Sequence, residues 1–167
     1  MKRLPYIAAS LVAMAAGCTE DCTENRNALP LAGFYGSGSP AESVTVDSLE
    51  VYGIGAPGDS VLFDGGEAVG SLYLPFRIDS DTTAYVFRPV NRAAVAAGVT
   101  DTVRFVYDRI PRLVSAECGA SYVFRMRGIY CSTQFIDSVT CPGGEIDNTD
   151  TENIHIYFRQ NEAGPES

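Results

Sequence analysis

The chain has 167 residues, with 21 acidic against 12 basic residues and a formal net charge of −9. That length suits one domain able to close a core. A balance this acidic, without a basic cluster, repels phosphate backbones and excludes nucleic acid as a partner; it also sets the chain against anionic lipid except through an anchor.

Lys2 and Arg3 give a positive start, and residues 4–16 form a short apolar run ending in small residues, the layout of a secretory signal over residues 1–17. The run falls short of the about 20 apolar residues that span a bilayer. Its end, Ala15-Ala16-Gly17-Cys18, resembles the bacterial lipobox. The resemblance implies that Cys18 is the lipidation site, carries diacylglycerol on its sulfur and becomes the new N-terminus. Ala15 departs from the leucine more usual at that place, and the alternative is a plain secretory signal with a chance cysteine. A single acyl chain binds marginally, at about 0.8 kcal/mol per buried CH₂, so the two or three chains of a lipoprotein make a stable membrane anchor. Taking away the first 17 residues removes Lys2 and Arg3, leaving 150 residues, 10 arginines against 21 acids, a net charge of −11 and no lysine.

Residues 18–30 are expected to be the lipidated cysteine and a polar tether. Glu20 and Asp21 resemble the acidic signal that sends Bacteroidetes-type lipoproteins to the cell surface; the alternative is a solvated linker. Residues 28–40 are apolar but broken by Pro30, Gly33, Gly36, Gly38 and Pro40, a pattern that predicts one short edge strand over residues 31–35.

From Ser43 onward the signal is period two. Val44 and Val46 alternate with polar residues, and Leu49 and Val51 resume one step out of phase, which predicts a bulge at Asp47-Ser48. The Gly-rich run 52–59 is expected to be a turn, because phosphate binding needs a helix behind the glycines and a strand, residues 60–63, follows instead. Leu72, Leu74 and Phe76 share one face; Val103, Phe105 and Tyr107 are backed by Arg104 and Asp108; Ile154, Ile156 and Phe158 are backed by His155, Tyr157 and Arg159. Residues 85–88, 122–127 and 135–139 add three more strands, with turns at residues 79–81, Gly119 and residues 142–144. One helix of about two turns is expected over residues 92–97, with Gly98 as its stop. The pattern predicts an all-β, antiparallel β-sandwich, immunoglobulin-like or transthyretin-like, of roughly eight or nine short strands. Residues 31–160 form this single domain, and residues 161–167 are expected to be a disordered tail.

The chemistry available is narrow. The single histidine, His155, alternates with Ile154 and Ile156 and reads as an ordinary histidine on a polar sheet face. One histidine and scattered cysteines do not supply a zinc site, and without lysine neither Schiff-base chemistry nor a Walker-type loop is available after the signal is removed. No catalytic residue, metal or cofactor is therefore expected. The run 147–152 offers alternate oxygen ligands for calcium, but lacks the glycine and terminal acid of an EF-hand and reads equally as a polar turn. Tyr73 and Tyr157 on polar faces, with Arg104, Arg125, Arg127 and Arg159, are the candidate binding residues, since Tyr and Arg are favoured at binding surfaces; cross-strand pairing is the alternative use of the same side chains.

Together with the lipobox, the stretches 52–55 with Asp59-Ser60, 74–76 leading to 81–83, 105–119 and 153–158 resemble a family of uncharacterised Bacteroidetes lipoproteins with a domain of unknown function. The resemblance implies an envelope lipoprotein with a β-sandwich domain and brings no activity with it. Removing lipidated Cys18 leaves Cys22, Cys118, Cys131 and Cys141 as disulfide candidates in an oxidising compartment. Residues 131 and 141 flank what reads as one extended strand, whose ends would lie roughly 30 Å apart at about 3.3 Å per residue, far beyond the about 5–6 Å between bridged Cα atoms. The resemblance favours Cys22 with Cys118; strand geometry also permits Cys118 with Cys141. The leading expectation is a non-catalytic binding or structural module in the outer membrane, on its periplasmic face or at the cell surface, recognising an envelope protein or glycan. The alternative is a carboxylate-based glycan hydrolase, which needs two acids about 5–9 Å apart.

Overall fold

The computed structural model describes residues 27–55, 61–116 and 118–159. The secretory signal, Cys18, Glu20, Asp21, Cys22, part of the Gly-rich turn and the tail 161–167 lie outside the described residues. Among the described residues, ten strands form two sheets packed face to face. The smaller sheet contains β1 (Leu31–Gly36), β4 (Ser71–Tyr73), β8 (Ile136–Thr140) and β10 (Glu152–Phe158), in the order β4-β1-β10-β8. The larger contains β2 (Leu49–Gly53), β3 (Val61–Asp64), β5 (Thr82–Pro89), β6 (Asp101–Ser115), β7 (Gly119–Cys131) and β9 (Glu145–Ile146), in the order β3-β2-β5-β6-β7-β9. The architecture is an all-β sandwich.

Period-two patterning decides which side of each strand is buried. Ala32 and Phe34 of β1 and Ile154, Ile156 and Phe158 of β10 face Leu49, Val51, Phe87, Val103, Phe105 and Tyr107 of the larger sheet. Each fully buried large side chain of this kind contributes about 1.5–3 kcal/mol. Phe76 lies among the rings of Phe105, Tyr107 and Phe124, stacked on Tyr107 at 4.5 Å between centroids.

Several details differ from the sequence pattern. β1 is not an edge strand: it lies between β4 and β10 and runs parallel to β10, with Ala32 opposite Ile154 and Phe34 opposite Ile156. Its breakers mislead because Pro30 and Pro40 flank the strand, while Gly33 sits within it and leaves room on the outward face. The pairing of the first strand with the last also departs from a fully antiparallel sandwich. No bulge forms at Asp47-Ser48; Ser48 adopts a left-handed φ of 56° and separates β2 from Val46, which makes an isolated bridge to Val69. β4 ends at Tyr73, because Pro75 cannot donate to a ladder, yet Leu74 and Phe76 beyond it are buried as their alternation implies.

Nor are all the strands short. β6 and β7 span 15 and 13 residues and pair along their length, so the hairpin runs past the core, where Leu113 is 79% exposed. The segment between Cys131 and Cys141 is not one strand; the chain crosses to the smaller sheet before β8 begins. That crossover is gathered by Asp101, whose carboxylate accepts from the Ser132 hydroxyl at 2.6 Å and from the backbone N–H groups of Gln134, Phe135 and Ile136 at 2.8, 2.7 and 2.8 Å.

The helix α1 (Arg92–Ala97) forms as expected. Asn91 caps it by accepting from the Ala94 N–H at 2.9 Å, and Gly98 ends it at φ 66°. Residues assigned to the tether from sequence are already docked: Ala28 is buried and its N–H reaches the Tyr122 carbonyl at 2.8 Å.

Candidate functional site

The outer face of the smaller sheet collects polar and aromatic side chains by alternation along its strands, and a register shift between Leu31 and Ala32 adds Glu152, which shares its parity with buried Ile154 and Ile156. Register places Tyr73, Leu31 and Glu152 in one row, Ser71, Gly33, His155 and Thr140 in the next, and Tyr35, Tyr157 and Ser138 in a third. Gly33 shapes the centre. A Cβ there would meet the Glu152 carboxylate oxygen at 2.0 Å, so the glycine is what lets Glu152 lean over the strand.

Around that carboxylate the rings converge. The Tyr35 hydroxyl donates to Glu152 Oε1 at 2.5 Å, and His155 Nε2 lies 3.1 Å from the same oxygen. Tyr157 Oη and His155 Nδ1 are 3.4 Å apart. The Tyr35 ring centroid is 4.9 Å from that of His155 and 5.7 Å from that of Tyr157. The bond to the Glu152 carboxylate, then burial, holds the Tyr35 phenol above its ordinary pKa. At one end of the group the Tyr73 hydroxyl donates to Asp150 Oδ1, which raises that phenol too, and a shallow hollow of about 350 Å³ adjoins, lined by Asn27, Leu29, Tyr73, Asn148, Thr149 and Asp150.

The structure divides the expected binding residues between opposite sides of the sandwich. Tyr73 and Tyr157 belong to this face, whereas Arg104, Arg125 and Arg127 lie on the outer face of the larger sheet. There Arg104 stacks over its cross-strand partner Tyr130 at 5.0 Å, Arg125 lies 3.5 Å from Glu145, and Arg127 lies 2.5 Å from Asp108. These are cross-strand pairings of a solvated sheet face, the alternative use of the same side chains. Arg159, past β10, lies 3.7 Å from Asp137.

Tyr35, Gly33 and Glu152 escape a reading by motif. Gly33 reads as a strand breaker and Glu152 as the end of an acidic loop; the available signal is a tyrosine two residues after a glycine that is flanked by buried Ala32 and Phe34. The acids of the run 147–152 do not converge either. Asp147 accepts from the Thr149 N–H at 3.0 Å and from its hydroxyl, which lowers the Asp147 pKa, while Asp150 and Glu152 turn to Tyr73 and Tyr35.

Two larger hollows lie elsewhere. One, of about 610 Å³, sits between α1 and the sandwich, with Asp47 as the carboxylate in its lining; the other, of about 470 Å³, has Asp79, which is 3.0 Å from Arg77 and held below the usual carboxylate range by it. Cys118 is disulfide-bonded, and Cys131 and Cys141 carry free thiols, which takes those two out of the disulfide set. They stand apart because Gly144, in the turn that follows Cys141, accepts from the N–H of Met126, five residues back along β7 from Cys131, about 16 Å at 3.3 Å per residue. Burial raises the pKa of both thiols.

A model of a family of unknown function (DUF6452) matches residues 48–158. Tyr73, Glu152, His155 and Tyr157 fall within that span, and Gly33 and Tyr35 precede it. No curated protein and no solved structure matches the chain.

Proposed function

Since the chain belongs to a family of unknown function (DUF6452), its role rests on its own side chains, and we propose that it is a non-catalytic binding module of the bacterial envelope. In this reading a lipid on Cys18 holds it in the outer membrane, and the outer face of the smaller sheet meets the ligand. The anchor rests on the layout of residues 1–18, and the Bacteroidetes lipoprotein character on that layout together with Glu20, Asp21 and the resembling stretches of the domain.

The observation that carries the binding role is the contiguous group of Tyr35, Glu152, His155 and Tyr157 on an open face. Acid hydrolysis of a glycan needs two carboxyl groups across a cleft. Each of the two larger hollows has one carboxylate in its lining, and the acids Asp150 and Glu152 stand on the open face, each bonded to a tyrosine.

Incubating the full chain in detergent with envelope polysaccharide and following reducing ends over time tests this. No release is expected. Turnover that disappears in both Asp150→Asn and Glu152→Gln would make the protein a hydrolase instead.

A further inference from the structure

We propose that the outer face of the smaller sheet is a carbohydrate platform that takes a short, uncharged oligosaccharide, with a sugar ring stacked on Tyr35 and hydroxyls donated to Glu152 and Asp150. This deepens the binding-module reading and rests on it.

The geometry of Tyr35 is the starting point. Its Cα is level with Tyr157, while its hydroxyl reaches a carboxylate lying over Gly33, two residues back along its own strand. Two residues of strand cover about 6.6 Å, the reach of a tyrosine side chain, so the side chain runs back along the sheet. His155 and Tyr157 flank it at 4.9 and 5.7 Å between centroids. Such a surface offers apolar ring faces next to oriented polar groups, the combination that recognition of an amphipathic ligand requires.

Glu152 supplies the polar half. Its Oε1 takes both the Tyr35 hydroxyl and the His155 contact, and no described side chain bonds Oε2, which lies over Gly33 within reach of a ligand hydroxyl. Because its orientation is already fixed by two partners, little freedom is lost when a hydroxyl donates to it. Asp150, accepting from Tyr73, provides a second oriented carboxylate two rows from Tyr157, about 13 Å along the strands. That span fits an extended oligosaccharide better than a single sugar.

Charge selects against other ligands. The sequences of β1, β4, β8 and β10 contain no arginine or lysine, whereas those of the larger sheet's strands contain six arginines. Phosphorylated or carboxylated glycans and anionic lipid therefore meet carboxylates on this face, where the neighbouring cations, Arg159 just past β10 and His155, already lie beside Asp137 and Glu152. A protein partner would look for an arginine or a large apolar anchor in a pocket; this face offers half-buried rings and acids.

The test is a panel of uncharged oligosaccharides, glucan, xylan, mannan and chitin fragments, presented to the full chain in detergent, with sulfated and sialylated glycans as the charged comparison. We expect retention of at least one uncharged member, weakened at least about tenfold by Tyr35→Ala and by Glu152→Gln, weakened less by Tyr35→Phe, which keeps the ring, and unchanged by Arg104→Ala on the opposite sheet. Should Tyr35→Ala fail to fold, Tyr35→Phe and Glu152→Gln carry the comparison. Retention of no uncharged member, preference for the charged set, or binding indifferent to Tyr35 and Glu152 each overturns the inference. Cleavage of a bound member instead overturns the non-catalytic reading, so the two failures are distinct.

Discussion

Asp101 holds the crossover from the larger sheet to the smaller one, and it does so as a buried anion. Burial alone would raise its pKa, but the N–H of Gln134, the Ser132 hydroxyl and the N–H groups of Ile136 and Phe135 together bring it below the ordinary carboxylate value. A depressed folded-state pKa means that the contribution is present in full above the unfolded value, about 3.9, and is lost as pH falls through the folded one. Unfolding midpoints in urea measured from pH 7 down to pH 3 should therefore drop steeply below about pH 4. Asp101→Asn, which turns a donor toward backbone donors, should cost about 2–4 kcal/mol at neutral pH and flatten that acid limb. At Gly33 the expectation is the reverse, a small effect on stability and a large one on the site. Gly33→Ala collides with the far end of a flexible glutamate, so the melting temperature should move by a few degrees at most, while the Tyr35 phenol, released from Glu152, should titrate lower in an ultraviolet pH titration. His155 and Tyr157 were legible as polar-face residues because alternation with Ile154, Ile156 and Phe158 fixes their side. Tyr35 and Glu152 were not, since what joins them is a register between strands at opposite ends of the chain.

At the scale of elements, alternation was a good guide to which residues face the core, and the short run ended by Gly98 located α1 over residues 92–97. Strand length and neighbour were harder to read. Pro111 and Gly128 look like interruptions in β6 and β7, yet the long hairpin carries both, Pro111 opposite Tyr122 and Gly128 opposite Val106. The helix supplies a clean test of local order. It buries no residue, and Val95 is 56% exposed, so Asn91→Ala, which removes a cap bond worth about 1 kcal/mol, should raise amide exchange at Val95 and Gly98 while leaving β5 and β6 protected.

For the whole molecule, two outer faces of opposite character follow from how arginine is distributed. The larger sheet balances its acids with guanidinium groups across the strands, whereas the strands of the smaller sheet carry none and Arg159, just past β10, lies beside Asp137. Sequence alone could list the arginines and tyrosines but could not sort them, because sorting needs the sheet order. Two further outcomes belong here. Cys18→Ala should yield a product without acyl mass that leaves the membrane fraction; an intact protein lacking acyl mass would remove the anchor from the proposal. Peptide mapping without reduction should find Cys118 joined to Cys22, with Cys131 and Cys141 open to alkylation after unfolding.

The parallel ladder between β1 and β10 bears on what happens when the protein is pulled. Ala32 through Gly36 pair with Ile154 through Phe158, and the hydrogen bonds of the ladder lie across the direction in which both strands run. With the expected bond between Cys22 and Cys118 reduced, tension applied between the two ends of the chain draws β1 and β10 in opposite senses along that shared axis. The bonds are then loaded together in shear, so they must break as a set, whereas a terminal hairpin would peel open one bond at a time. A binding face built on those two strands keeps its shape under traction until the ladder as a whole gives way.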